Sequence, residues 1–202
     1  MGDFLISIIK TIVAVLLLPL VVACAQTFWE HLSGYSASSD AEFFLYGAIS
    51  FLIVFLFLYR FWGPYELGQK ISLSIFRFLA PLDKLLAHFF PFYLIILFVA
   101  FVTVRRFLGL TTYDHYFLFF LGFILSMQTL QSAQELQEQE SQSFKFAYLL
   151  VLFLAILVNF SFIVLGMDLV YGKLTFMKFF DSTLTASQGL YVDWGKKVLM
   201  LP

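Results

Sequence analysis

Residues 147–167 read AYLLVLFLAILVNFSFIVLGM, a run with no charged residue. A hydrocarbon core about 30 Å thick takes roughly 20 helical residues to cross. In lipid each backbone N–H and C=O must find its partner within the segment, so a run of this kind is a helix. Asn159 and Ser161 are its polar exceptions. Such side chains more often bond across to a neighbouring helix than bind a substrate.

Working outward from this run, four more apolar stretches occupy residues 116–131, 85–104, 42–59 and 4–27. Hydrophobic residues make up 61% of the 202-residue chain and charged residues 12%, about half the charged share of an ordinary soluble domain. The pieces left over are too short for an independent soluble domain. The expected fold class is all-α: a polytopic membrane helical bundle of about five transmembrane helices plus interfacial helices. It forms one integral-membrane domain over 1–202. Residues 168–202 mix Phe176, Phe179, Phe180, Tyr191 and Trp194 with Lys173, Lys178, Lys196 and Lys197, which predicts an interfacial C-terminal tail.

Details of the stretches follow from their polar punctuation. Lys10 lies less than two turns inside the first helix and can snorkel to the headgroups, and Pro19 is placed to kink it. Residues 28–42 contain Ser33, Gly34, Ser36, Ser38 and Ser39 and read as a turn-like loop. Tyr59, Arg60 and Trp62 anchor the end of the second helix, and Gly63-Pro64 breaks it. Residues 71–79 suit a short interfacial helix or a strand, since neither period wins over so few positions. Arg105-Arg106 closes the third helix. The fourth outlasts the membrane: Gln128, Gln131, Gln134, Glu135, Glu138 and Gln142 recur every three or four residues, which puts them on one helical face. That face is either a solvated continuation or a docking surface for another subunit, with a tight polar turn near 139–143.

Orientation is balanced on the total. With the first residues inside and five crossings, Lys10, Arg60, Lys70, Arg77, Lys84 and Lys145 fall inside. Arg105, Arg106, Lys173, Lys178, Lys196 and Lys197 fall outside. The first two loops break the balance, since 28–42 has no Lys or Arg and 60–84 has several. Early helices usually set the topology, so the expectation is N-inside with an outside C-terminal end.

Little chemistry lies between the spans. Net charge is −1, so no basic footprint for nucleic acid exists. One cysteine excludes an internal disulfide. It sits in Val21-Val22-Ala23-Cys24, which resembles a bacterial lipoprotein cleavage box. The residues before Lys10 are already apolar, however, so a clean basic n-region is missing. The expectation is an ordinary first spanning helix. His31, His88 and His115 show no metal-ligand spacing. His31, Asp114, His115 and Asp168 are the one cluster that the expected topology allows on the outer face. No charged residue lies deep in a span, where ion-coupled transporters usually keep one. No cofactor and no metal are expected.

The segment Trp62-Gly63-Pro64-Tyr65-Glu66-Leu67-Gly68-Gln69-Lys70 resembles a damaged form of the H-E-x-x-H motif of site-2-protease-like membrane metallopeptidases. In that family two histidines on a helix hold zinc and the glutamate is the general base. Here Tyr65 and Gln69 stand at the histidine positions and Glu66 keeps the glutamate position. Leu17-Leu18-Pro19, Leu79-Ala80-Pro81, Phe90-Pro91-Phe92-Tyr93, the 121–139 passage with Gly122, and Val158-Asn159 are also similar to small bacterial members. The resemblance implies a degenerate relative with the zinc motif lost, a pseudo-protease rather than an enzyme, since Tyr and Gln do not hold a catalytic zinc.

Three functional readings follow. The first is a non-catalytic integral-membrane scaffold or subunit of a larger membrane complex, in a bacterial inner membrane, whose partners are the lipid bilayer and other membrane subunits. The second is a transport or lipid-handling component that lines a hydrophobic groove. The third is an active intramembrane metalloprotease, which stoichiometric zinc in the pure protein would reveal.

Overall fold

A computed structural model describes residues 2–35, 38–57, 62–77, 90–108, 114–139 and 148–198. Among the described residues the chain is all-helical, with no strand. The helices are α1 (Gly2–Tyr35), α2 (Ser38–Phe57), α3 (Trp62–Phe76), α4 (Phe92–Leu108), α5 (Asp114–Gln139), α6 (Tyr148–Tyr171) and α7 (Phe176–Val198).

Three of these are long and apolar enough to cross a membrane: Leu5–Gly34 in α1, Asp114–Gln137 in α5 and Tyr148–Tyr171 in α6. This is fewer than the five expected, and length is the reason. The apolar part of α2 is Ala41–Phe57, about 25 Å at 1.5 Å per residue. Helix α4 has 17 residues and ends on Arg105 and Arg106, so it too falls short of a full hydrocarbon core. Residues 85–89, the first part of the expected third span, lie outside the described residues, as does the expected turn at 139–143 beyond Gln139.

Two further boundaries differ from the sequence reading. The expected loop 28–42 is mostly helix, because α1 continues to Tyr35 and α2 begins at Ser38. Phe28 and Leu32 are buried, and this packing carries the helix through Ser33 and Gly34. Residues 62–76 are also helical, which resolves the ambiguity over 71–76, while residues 78 and 79 lie outside the described residues. Pro64 lies in the first turn of α3, where its missing N–H costs nothing.

Packing divides the chain into two compact units, residues 33–135 and residues 1–32 with 136–202. In the unit 33–135, α2 and α5 run side by side in the same direction. Phe43 meets His115 at 5.2 Å between ring centroids, and Phe51 meets Phe123 edge-on at 5.2 Å. Between these levels the two backbones touch. A Cβ on Gly47 would stand 1.8 Å from the Phe119 carbonyl oxygen, and one on Gly122 would stand 2.0 Å from that of Phe44. Helix α4 lies against α5 through Phe117, which stacks on Phe101 at 4.1 Å and meets Phe98 at 5.4 Å.

In the other unit, α1 is apolar on nearly every side, and only 11% of its spanning window is buried. Leu5, Ile12, Val15 and Leu16 are all more than half exposed. A helix that is hydrophobic all round and uncovered is suited to lipid. Its buried stripe is narrow and made mostly of small residues, Ala14, Ala23, Cys24 and Thr27, the composition that lets membrane helices approach closely. Phe28 stacks on Phe160 of α6 at 4.5 Å. Gly172, with φ +65°, ends α6, and Lys173 N–H donates to the Asp168 carbonyl at 3.0 Å. That six-to-one bond is a Schellman stop, and it turns the chain back so that α7 packs on α6.

Candidate functional site

The polar side chains gather at one end of each unit. In the unit 1–32 with 136–202 the centre is Asp168, which is 4% exposed. It lies in the last turn of α6 and faces the start of α7. Its Oδ2 accepts the backbone N–H groups of Thr175 and Phe176, both at 2.7 Å. Its Oδ1 accepts the Thr175 hydroxyl at 2.6 Å. Thr175 is the N-cap of α7, since its carbonyl takes the Phe179 N–H at 3.0 Å. The carboxylate thus satisfies donors that the first turn of a helix leaves open, and its charge sits at the favourable end of the helix dipole.

His31 of α1 completes this cluster. Its Nε2 lies 2.8 Å from the Thr175 hydroxyl oxygen, and its ring tilts against Phe179 at 5.7 Å. Since the hydroxyl proton goes to Asp168, the threonine oxygen is the acceptor and His31 Nε2 the donor. Three helices are fastened by one hydrogen-bond chain, His31 to Thr175 to Asp168. Farther along, the Tyr191 hydroxyl of α7 donates to the Leu16 carbonyl of α1 at 2.5 Å. These two fixed points set α7 antiparallel to α1 over about 22 Å, fifteen residues at roughly 1.5 Å each.

In the unit 33–135 the polar groups collect where α3, the start of α4 and the end of α5 meet. Gln69 Nε2 donates to Glu135 Oε2. Gly68 lies flat under the Tyr93 ring, where a Cβ would come within 2.5 Å of Cε2. Ser72, buried, donates to the Gly68 carbonyl at 2.9 Å. Glu66 and Lys70 form an exposed i,i+4 pair at 3.9 Å, a contact of little energetic weight.

The sequence-derived candidates are distributed as follows. Tyr65, Glu66 and Gln69 all lie on α3, so the frame of the degenerate motif is helical. Gln69 and Glu135, from two separate candidate groups, are brought together. Gln128 and Gln131 are 8% and 2% exposed, and Gln134 and Glu135 are half-buried. Gln128 and Gln131 are thus buried, whereas Gln134 and Glu135 keep part of their surface open. Gln142 and the side chain of Glu138 lie outside the described residues, as does His88. Of the four residues of the outer-face cluster, His31 and Asp168 share Thr175. Asp114 and His115 begin α5 in the other unit, where His115 packs on Phe43 and Tyr116. Among the described residues no three His, Cys, Asp or Glu side chains gather in position to share a metal ion.

Thr175 and Tyr191 were not singled out as site residues by the sequence reading. A signal for Thr175 exists in Asp168-Leu169-Val170-Tyr171-Gly172-Lys173-Leu174-Thr175. A glycine stop followed three residues on by a threonine is the pattern of one helix ending and the next beginning. Tyr191 carries no such signal, since its partner is a backbone carbonyl far away in sequence.

No protein-family model matches this chain, and no curated protein or solved structure is similar to it.

Proposed function

We propose that this chain is a non-catalytic, multi-pass membrane subunit that serves as a scaffold for other membrane proteins. One observation carries the reading: its most reactive side chains are spent on fastening helices. Asp168, Thr175 and His31 cap and tie α7, and Gln69 is bound to Glu135. On the resemblance to site-2-protease-like enzymes, α3 is the inherited helix, and Gln69, at one of its two zinc-ligand positions, has turned to structural use. The all-helical form suits a bacterial inner membrane, since outer-membrane spans are closed β-barrels.

The membrane placement follows from α1. Lys10 and Glu30 are separated by about 30 Å of helix, the thickness of a hydrocarbon core. Because α7 runs antiparallel beside α1, its uncharged middle, 182–192, lies at hydrocarbon depth. Lys178 and Lys196, about 27 Å apart, fall near the two headgroup levels, with Asp181 and Asp193 about one turn inside them. Helix α7 then stands upright as a crossing, in place of lying on the surface. Helices α2 and α4 cross as short spans, which local thinning and snorkelling accommodate. Crossings by α1, α2, α4, α5, α6 and α7 return the chain to its starting side. Lys196 and Lys197 thereby move inside, and the positive charges divide eight inside to four outside in place of an even split of the 12. The positive-inside rule favours this arrangement.

The test is purification in a mild detergent from native membranes. Stoichiometric membrane-protein partners in the purified material are expected. A chain that elutes alone as a monomer, with nothing co-purifying, would sink the scaffold reading.

A further inference from the structure

The joint of α1, α6 and α7 holds one side chain whose ordinary titration falls between about pH 5 and 8, the imidazole of His31. Its Nε2 carries the proton donated to the Thr175 hydroxyl 2.8 Å away, so a second proton goes to Nδ1. Protonation leaves the hydrogen-bond chain intact and changes only the charge at the joint.

That charge has a poor setting. The ring is half-buried and packs on Phe179 at 5.7 Å. Packing strips it of water, and an imidazolium loses more by this than a neutral ring. Asp168 pulls the other way. Its carboxylate, however, already accepts two backbone N–H groups and the Thr175 hydroxyl, and Thr175 stands between it and the ring. Lys173 adds a like charge from the turn. The other titratable groups around the joint are Tyr171 on α6, Glu30 on α1, and Lys178 and Asp181 on α7, of which the last three are exposed. The inner face of α7 offers Phe179, Thr183 and Ser187, none of them charged. His31 lies one residue beyond Glu30, outside the hydrocarbon, so a ring that lets go meets water at headgroup level.

We propose that His31 is an acid-operated latch: a proton taken up from the outer side of the membrane releases the start of α7 from α1. The second fixed point, the Tyr191 hydroxyl on the Leu16 carbonyl, involves no imidazole, so α7 pivots there and stays attached. Its outer placement follows from the topology. With Lys10 inside, α1 ends outside, and α6 ends there too whether the chain crosses five times or six. The sign follows from which state holds the proton. The fastened joint favours the neutral ring, and the released ring takes a proton near its ordinary pKa of about 6.5. Fastening is therefore fully present above that pH and is lost below it. At about pH 5.5 release gains up to about tenfold over neutral pH.

The inference rests on the membrane reading only for its side, and detergent micelles remove that dependence. The full chain with Cys24→Ser carries spin labels on Trp29→Cys and Met177→Cys, both exposed positions. Pulsed electron paramagnetic resonance measures their separation at about pH 7.5 and about pH 5.5. One short distance is expected at the higher pH, and at the lower pH a second, longer one whose share rises roughly tenfold. His31→Gln keeps a donor for Thr175 and takes no proton, so it should show the short distance at both. Lys173→Gln removes the like charge and leaves the hydrogen-bond chain alone, so its rise should be smaller. Identical distances at the two pH values overturn the latch. So does an equal rise in His31→Gln, which would move the acid response to a carboxylate. Should His31→Gln fail to fold, an undiminished rise in Lys173→Gln overturns it instead. Sealed vesicles of known orientation, acidified on one side only, then test the placement. A response to outside acid supports it. A response to inside acid alone overturns the outer placement and the topology, whereas failure in micelles overturns the latch and leaves the membrane reading standing.

Discussion

At the scale of single residues, Asp168 does the most. Asp168→Asn keeps one acceptor oxygen and replaces the other with an amide that faces two N–H donors. The expected loss is roughly 1–3 kcal/mol, or about 2–4 °C of Tm per kcal/mol in a chain of this size. Thermal unfolding in detergent reads it, and the exposed Asp181→Asn serves as the unaffected control. Gly122→Ala should cost about 1–3 kcal/mol or more, because its Cβ would meet a backbone oxygen that has no rotamer to escape into. Gly195→Ala meets open space and should gain about 0.8–1 kcal/mol from helix propensity. Thr183 presents the opposite case. Its hydroxyl is buried and takes no hydrogen bond, so Thr183→Val should hold or raise stability by about 1 kcal/mol; a clear loss would show that the hydroxyl is used. Little of this could be read from residue types. Gly122 was noticed only as part of a resemblance, and nothing in the sequence says that it faces the Phe44 carbonyl. Asp168 and His31 were picked as members of a loose cluster, but their purpose depends on Thr175, which looks like a loop residue until the turn at Gly172 folds it back.

Among the elements, the apolar spans were the most legible and their ends the least. Runs such as 147–167 declare a helix because lipid offers the backbone no alternative. The loop 28–42 misled because serine and glycine mark turns in water, whereas Phe28 and Leu32 hold α1 together by packing. The tail was legible in composition but not in register. Composition alone makes α7 an amphipathic surface helix, and the contacts of Tyr191 with Leu16 and of Thr175 with His31 place it along α1. That register is testable. With Cys24→Ser, cysteines replacing Leu16 and Tyr191 should be joined by a short thiol-specific crosslinker within one chain. The pair at Leu16 and Thr175, about four turns apart, should give no product. Joining of both pairs with equal yield would mean that α7 has no fixed register.

For the whole molecule, fold class was legible from 61% hydrophobic residues and 12% charged, and the number of crossings was not. On the proposed six-crossing reading, counting apolar stretches overlooks α7, which is too polar to register alone. The consequence is a matter of sidedness. Reporters fused before Gly2 and after Pro202 should be digested or protected together in sealed vesicles, both from the cytoplasmic side. Opposite protection would restore the five-crossing arrangement and remove α7 from the bilayer. Function was the least legible level, because no residue pattern in the chain names a reaction or a partner.

The pairing of α1 with α7 also constrains how the protein is made. The chain leaves the ribosome from its first helix onward at about 5–20 residues per second, so α1 waits several seconds at least for α7 to emerge. During that interval His31 has no Thr175 to bond, and Asp168 has no N-terminus to cap. On the six-crossing reading proposed above, α7 is too polar to enter the bilayer unaided and docks on helices already in place. Any product cut short before Phe176 leaves the Asp168 carboxylate without the helix N-terminus that it caps, and that unmet carboxylate distinguishes an unfinished copy from a finished one.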